Sequence, residues 1–219
     1  MCFSAQASFT GGAIISTIGV MTITKVQKPS QLLFAFIPIF FGIQQFTEGL
    51  VWLSLPNPEY LGLKQFSTYL FMIMADVLWP TMIPLAILLM EENRKKRKIL
   101  KVLLVMGISL SLYYGICLIF FNFFPEIKEF HIQYRTDFPE SLKLPMVGVY
   151  LIVTLVPLFM SSIRRSAVLG GLMLISCAIS VIFFTQYLTS VWCFFAALIS
   201  GVIYWIMKDS KQNSTINDI

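Results

Sequence analysis

The sequence predicts an all-α integral membrane protein, a bundle of about seven transmembrane helices. The chain has 219 residues, of which 57% are hydrophobic and only 12% charged, whereas soluble domains are about a quarter charged. Its charged residues are clustered, and the apolar runs between them approach the ~20 residues that cross the hydrocarbon core of a bilayer. A chain with this pattern lacks the polar surface that water requires, so the lipid bilayer is its expected partner.

Seven apolar segments follow one another, separated by short links that carry proline, asparagine or charged residues. The first is diluted by glycine, serine and threonine, and the fifth contains Pro157, so five or six crossings are the alternative count. No basic region precedes the first segment, which is interpreted as a retained helix and not as a cleaved signal peptide. The predicted spans are 5–24, 31–54, 66–90, 99–121, 144–163, 167–184 and 188–207.

The basic residues predict the orientation, because short loops rich in lysine and arginine stay in the cytoplasm. Twelve of the sixteen lie in the links after spans one, three, five and seven. With seven spans, this bias places the N-terminus outside and the C-terminus in the cytoplasm, as expected for a bacterial inner-membrane protein. Topology therefore explains the net charge of +5 better than nucleic-acid binding does. The twelve are Lys25, Lys28, Arg94, Lys95, Lys96, Arg97, Lys98, Lys101, Arg164, Arg165, Lys208 and Lys211.

The links and the tail complete the predicted organisation. Residues 1–208 form the transmembrane domain, and the polar residues 209–219 are expected to form a disordered cytoplasmic tail. The longest connection, about 122–145, lies on the outer side and contains the single histidine, His131. Connections of this length are uncommon unless they are functional or disordered, so this one either caps the outer mouth of the bundle or is a solvated loop.

Two acidic residues, Glu48 and Asp76, fall inside predicted spans. A charge near the centre of a spanning helix costs ~2.5–3.5 kcal/mol on insertion scales. Both side chains are therefore expected to face the bundle interior, in the outer half of the membrane. Glu48 shares a helical stripe with Gln44 and Gln45, and Trp79 follows Asp76 by about one turn. Such groups either bind a ligand or form hydrogen bonds between helices.

Two prolines follow Asp76 in the third span. Pro80 and Pro84 lack a backbone N–H, so they are expected to free the carbonyls of Asp76 and Pro80 beside the carboxyl group. Trp192 begins the last span at the outer boundary. It is either a ligand-binding residue or a member of the interfacial aromatic belt.

The four cysteines are scattered, without the spacing of a zinc ribbon or a dense disulfide framework. Cys2, Cys193 and His131 are expected near the outer face, where thiolate and imidazole could bind a transition metal such as zinc or copper. Disulfides from Cys2 to Cys193 or to Cys117, and inert buried thiols, are the alternatives. Removal of Met1 would also give Cys2 a free α-amino group, a pairing that can act as nucleophile and base. The cofactor stays unknown at this point.

Composition excludes two classes of seven-helix proteins. Retinal attachment requires a lysine in the last span, and residues 190–207 contain none. Membrane hydrolases with a three-histidine zinc site are excluded because the chain has one histidine.

Four segments resemble the hallmarks of an uncharacterised family of small bacterial multi-pass membrane proteins, and the likeness spans most of the chain. The resemblance implies the same architecture and singles out Cys2, Glu48, Trp79 and Cys193. It implies no activity. The segments are MCFSA at 1–5, QQFTEGLVWL at 44–53, DVLWP at 76–80 and SVWCFFAA at 190–197.

The leading functional interpretation is an outward-facing polar pocket that binds a small molecule, a lipid or a metal. If the protein is an enzyme, it is expected to be a hydrolase or transferase acting on a membrane-accessible substrate, with Glu48 as general base and Cys2 or a metal supplying activation. A proton- or cation-linked transporter or sensor, and a structural subunit, are the alternatives. The ligand-binding candidates are Gln44, Gln45, Asp76, Trp79 and Trp192.

Overall fold

The computed structural model describes residues 4–217, and it describes the side chains of this range except those of 140–144 and 211–217. Nine α-helices account for most of this range. A π-helical turn, Ile73–Leu78, joins the third helix to the fourth. The helices are α1 Ala5–Ile23, α2 Leu32–Ser54, α3 Leu61–Met72, α4 Trp79–Met90, α5 Arg94–Phe120, α6 Glu140–Met160, α7 Ser166–Phe183, α8 Leu188–Ser200 and α9 Val202–Asn217.

Six helical segments within the described residues are long and apolar enough to cross a membrane. They correspond to six of the predicted spans, because α3 and α4 form one continuous segment and so do α8 and α9. The predicted span at 144–163 corresponds to a shorter apolar helix, Pro145–Met160. The six are Ala5–Ile23, Pro29–Ser54, Pro58–Met90, Arg94–Phe120, Ser166–Phe183 and Thr185–Ser210.

Glycines hold α1 and α2 close together. A Cβ atom on Gly42 would lie 2.1 Å from Ser16 Oγ, and one on Gly19 would lie 2.5 Å from the side chain of Ile39. Small residues are the usual means by which membrane helices approach, since lipid provides no hydrophobic force between them. The same contact places Gly49 against Phe9, which fixes the register of the two helices.

The links rich in basic residues meet at one end of the bundle. Lys28 Nζ lies 3.5 Å from Glu92 Oε1, which joins the link after α1 to the link after α4. The N–H of Ser162, just after α6, donates to Glu91 Oε2 at 2.7 Å. Arg165 forms an ion pair with Asp209 of α9 at 2.5 Å. Four links that the sequence places on the same side of the membrane are therefore neighbours in space.

A β-hairpin lies at the opposite end, and it is the one correction to the prediction of a purely helical fold. Strands β1, Phe123–Lys128, and β2, His131–Thr136, pair antiparallel. The turn includes Glu129 in the left-handed region, with φ 55°. Pro125 and the charged residues of this segment indicated a loop, since proline is rare in strands. A two-stranded hairpin is marginal alone, and here it is supported by the helices beneath it.

The last helix extends into the predicted tail. The disorder expected for residues 209–219 stays a prediction, and α9 is Val202–Asn217, with its side chains described as far as Ser210. The ion pair of Arg165 with Asp209 anchors this helix, and the Arg165 guanidinium lies 3.6 Å from the ring centre of Trp205. Ser210 accepts a hydrogen bond from Gln31 at 3.2 Å. These contacts hold α9 against the neighbouring links as far as Ser210.

Candidate functional site

A hydrogen-bonded chain in the bundle interior connects α2, α4 and α8. Trp79 Nε1 donates to Gln44 Oε1 at 2.9 Å, and Gln44 Nε2 donates to Cys193 Sγ at 3.2 Å. Phe41 stacks on the indole of Trp79 with the ring centres 3.9 Å apart. Gln44 is fully buried, and Trp79 and Cys193 nearly so. Three of the predicted site residues, far apart in sequence, therefore contact one another.

Glu48 lies one turn further along α2, on the same face as Gln44. Its side chain is completely buried, and Ser190 Oγ of α8 donates to Glu48 Oε1. Ser190 precedes Cys193 by three residues, so one face of α8 presents both to the matching face of α2. Sequence analysis did not select Ser190 as a partner. Gln44 and Glu48 are separated by one helical turn, and so are Ser190 and Cys193. This matching spacing is the sequence signal that could have identified Ser190.

Gln45 is fully buried, and neither its amide nitrogen nor its amide oxygen has a hydrogen-bond partner among the described residues. The hydroxyl of Ser8, on α1, is buried and unpaired in the same way. Phe9, the neighbour of Ser8, packs on Gly49, one turn beyond Gln45 along α2. A buried amide without partners costs several kcal/mol in an apolar medium. Gln45 and Ser8 therefore each keep a buried polar group without a partner among the described residues.

Asp76 lies in the π-helical turn, and the described residues give it no hydrogen-bond or ion-pair partner. Both Asp76 and Glu48 are within electrostatic range of the Cys193 thiol. Of the two predicted carboxyl groups near this thiol, Glu48 is fully buried and Asp76 is half-buried.

The π-helical turn is held by side chains of neighbouring helices. The Tyr150 hydroxyl donates to the carbonyl of Ala75 at 2.7 Å, and Ser111 Oγ donates to the carbonyl of Val77 at 2.6 Å. The ring nitrogen of Pro80 cannot donate to Ala75 in the i to i−5 pattern of a π-helix. Tyr150, which sequence analysis missed, supplies the missing donor from α6.

Trp192 lies beside this region and is half-buried. Its ring makes an edge contact with Tyr150, with centres 5.7 Å apart, and its indole nitrogen is buried without a hydrogen-bond partner among the described residues. Whether Trp192 binds a ligand or belongs to the aromatic belt stays a prediction.

The metal prediction remains a prediction. Across the described residues, no group of three or more His, Cys, Asp or Glu side chains is arranged to hold a metal ion. Cys2, the third expected member beside Cys193 and His131, lies outside the described residues, as do both disulfides predicted for it. Cys117, Cys177 and Cys193 are free buried thiols.

His131 belongs to the hairpin and packs between aromatic rings. It stacks on Tyr187 with ring centres 4.7 Å apart and lies 5.2 Å from the ring centre of Phe184. Burial lowers the pKa of His131 below its ordinary value, although the carboxylate of Glu129 acts in the opposite direction. In these contacts the imidazole supports the docking of the hairpin on the turn before α8.

Glu91 is a second buried carboxyl group, which sequence analysis missed because it lies just beyond α4. It is 1% exposed, and it accepts hydrogen bonds from the N–H groups of Asn93 at 2.9 Å and Ser162 at 2.7 Å. Burial raises the pKa of Glu91, but these hydrogen bonds and the charge of Lys96 outweigh it, so the pKa lies below its ordinary value. Glu91 joins the α4–α5 link to the α6–α7 link.

The described residues form a helical bundle that has six helical segments apolar enough to cross a membrane and a hydrogen-bonded polar interior. The chain belongs to the family of unknown function DUF6629, whose sequence profile matches residues 1–217. The resemblance to an uncharacterised family is thus confirmed. No curated protein and no solved structure shows a significant similarity to the chain.

Proposed function

We propose that the protein crosses a bacterial inner membrane seven times, with its N-terminus outside and its C-terminus in the cytoplasm. The shorter helix α6 supports the seventh crossing, because it begins after the hairpin and ends at the Glu91 contact at the other end of the bundle. The meeting of four basic links at one end supports the orientation. A reporter fused after Asn217 should be active only in its cytoplasmic form, and the opposite result would overturn this topology.

We propose further that the interior cluster of Gln44, Gln45, Glu48, Ser190 and Cys193 binds a small polar molecule. The observation that carries this proposal is the buried amide of Gln45, whose donor and acceptor both lack partners in the described part of the chain. Polar groups at membrane depth are almost always satisfied by protein, water or ligand. A ligand that both donates and accepts hydrogen bonds would satisfy this amide.

The charge of the site narrows the ligand class. Residues 32–54, 65–90 and 166–207 contain Glu48 and Asp76 but no lysine, arginine or histidine. A carboxylate in this region is therefore best stabilised by a cationic ligand or by one rich in hydrogen-bond donors. Small amines, small amides and metal cations fit this description, and a metal would use the thiol of Cys193.

The test is the native mass of the purified protein with a matched set of variants. Wild-type protein should retain a small molecule that Gln45→Leu and Glu48→Gln lose. Gln65→Leu is the control, because Gln65 is exposed on α3, and it should keep the molecule. Ligand binding would be refuted if the wild type carried no small molecule and if Gln45→Leu raised the free energy of unfolding. The buried amide would then be only a cost, and the cluster would serve helix packing in a structural subunit.

Catalysis at this site would require Glu48 to act as general base, with Cys2 or a metal for activation. Substitution of Glu48 by alanine should then abolish the turnover of a lipid or other membrane-accessible substrate without unfolding the protein. Retained turnover would exclude that role.

A second candidate function is proton- or cation-linked transport or sensing, favoured by the position of Asp76 in a π-helical turn. Such turns occur frequently at functional sites, and a carboxyl group at membrane depth suits a proton or cation relay. Uptake into proteoliposomes should be lost in Asp76→Asn and retained in Asp137→Asn, which alters an exposed residue. Equal uptake in both variants would exclude Asp76 as the coupling group.

A further inference from the structure

Helix α5 has one continuous exposed apolar face. Its members recur every three or four residues, which places them on one side of the helix. They are between 41% and 78% exposed, as side chains in contact with lipid would be. The residues are Val105, Ile108, Leu112, Ile116 and Ile119.

The same face continues at the N-terminal end of α5 with basic residues. Arg94, Lys98 and Lys101 precede Val105 at spacings of four, three and four, and all three are exposed. Arg97, on another side of the helix, is instead used inside the protein, where it donates to the carbonyls of Leu88 and Glu91. The three exposed cations therefore lie directly above the lipid-facing stripe.

The protein supplies little negative charge to balance them. Glu92 pairs with Lys28, and both carboxylate oxygens of Glu91 accept backbone N–H groups. The first turn of α5 has no acidic residue, and the helix dipole disfavours cations at an N-terminus. An external anion would relieve both effects.

We propose that Arg94, Lys98 and Lys101 bind the phosphate groups of anionic phospholipids in the cytoplasmic leaflet. The proposal rests on the membrane orientation proposed above, and not on the ligand cluster around Gln45. The rule that basic residues stay in the cytoplasm explains why they lie at this end of the helix. It does not explain why they lie on one face of the helix. Their alignment with the lipid-facing stripe is what points to headgroups as the partner, since clustered basic residues beside a membrane helix attract anionic lipids.

The test uses nanodiscs of phosphatidylcholine with a minor fraction of phosphatidylglycerol. Native mass spectrometry should show phosphatidylglycerol retained by the wild type. The triple variant Arg94→Gln, Lys98→Gln, Lys101→Gln should bind it about a hundredfold more weakly, or about fivefold per charge. Lys98→Gln alone should show the fivefold loss, which keeps the test informative if the triple variant folds poorly.

The control removes the same charge from the same end of the bundle but outside α5, by Lys25→Gln, Arg164→Gln and Lys208→Gln, and it leaves the Lys28–Glu92 pair in place. It should keep phosphatidylglycerol binding within about twofold of the wild type, since a general surface charge acts weakly on one bound lipid. Equal losses in the two triple variants would overturn the proposal. Full competition by millimolar inorganic phosphate would also overturn it, because the site would then bind free phosphate.

A failure of the orientation would be seen separately. In a Cys2→Ser background, Lys98→Cys should react with a membrane-impermeant maleimide only after the cells are opened. Labelling of intact spheroplasts would place this end outside and would refute the topology together with the leaflet assigned here.

Discussion

Replacement of Gly107 by alanine is the sharpest test of how α5 packs against α4. A Cβ atom on Gly107 would lie 2.0 Å from the carbonyl oxygen of Pro80 and 2.9 Å from its carbonyl carbon. That oxygen lacks its helical donor because Pro84, four residues on, has no N–H. Carbon–oxygen contacts normally reach about 3.3 Å, so α4 and α5 would have to separate by roughly 1.3 Å. Both obstructing atoms belong to the backbone and cannot rotate away.

The expected cost has two parts. Overpacking of a close contact costs about 1–3 kcal/mol. The separation would also stretch the hydrogen bonds of Ser111, one turn further along α5, to the carbonyl of Val77 at 2.6 Å and to Thr81 at 2.8 Å. Each is worth about 1 kcal/mol, so Gly107→Ala should lower the free energy of unfolding by about 3–5 kcal/mol.

The control lies on the same helix. A Cβ atom on Gly115 would have nothing within 4 Å, so Gly115→Ala should be neutral or should stabilise by about 0.5–1 kcal/mol through helix propensity. Unfolding in mixed micelles, followed by circular dichroism, measures both variants. If Gly107→Ala lies within about 0.5 kcal/mol of Gly115→Ala, the close approach of α5 to Pro80 is refuted, because overpacking there should cost more.

Three further substitutions test the other contacts. Glu91→Gln should cost about 1.5–3 kcal/mol, the worth of hydrogen bonds to a charged group, whereas exposed Glu92→Gln should change stability by less than about 0.5 kcal/mol. Because folding lowers the pKa of Glu91, its carboxylate contributes fully to the free energy of unfolding above its ordinary pKa of 4.5. This contribution is lost as the pH falls through the lower pKa of the folded state. The stability of Glu91→Gln should therefore lack this dependence on acid pH. Trp79→Phe should cost about 2–3 kcal/mol, since it leaves the buried oxygen of Gln44 without its donor, and a cost below about 0.5 kcal/mol would contradict the hydrogen bond. Tyr150→Phe should cost about 1–2 kcal/mol by the loss of the hydroxyl that satisfies Ala75, and unchanged thermal unfolding would show that the π-helical turn does not need it.

The helical elements could be predicted because membrane insertion imposes a strong constraint. Backbone polar groups at membrane depth must find partners within the protein, and a helix satisfies nearly all of its own, so a long apolar run predicts a helix. The carboxyl groups of Glu48 and Asp76 stood out for the same reason, since charge is costly there. The hairpin escaped prediction because its strands depend on stacking, such as Tyr134 on Phe71 with ring centres 4.9 Å apart.

The sequence by itself predicted helices apolar enough to cross a membrane and the positions of six of them, and it singled out Gln44, Glu48 and Cys193 as candidate site residues. Hydropathy and charge are local properties and act through the bilayer, which is the same for every segment. Only the tertiary structure decided that Gln44 bonds to Trp79 and Cys193, that Ser190 donates to Glu48, and that Gln45 has no partner among the described residues. These outcomes depend on the rotation and register of helices distant in sequence, which side-chain packing sets and no local pattern encodes.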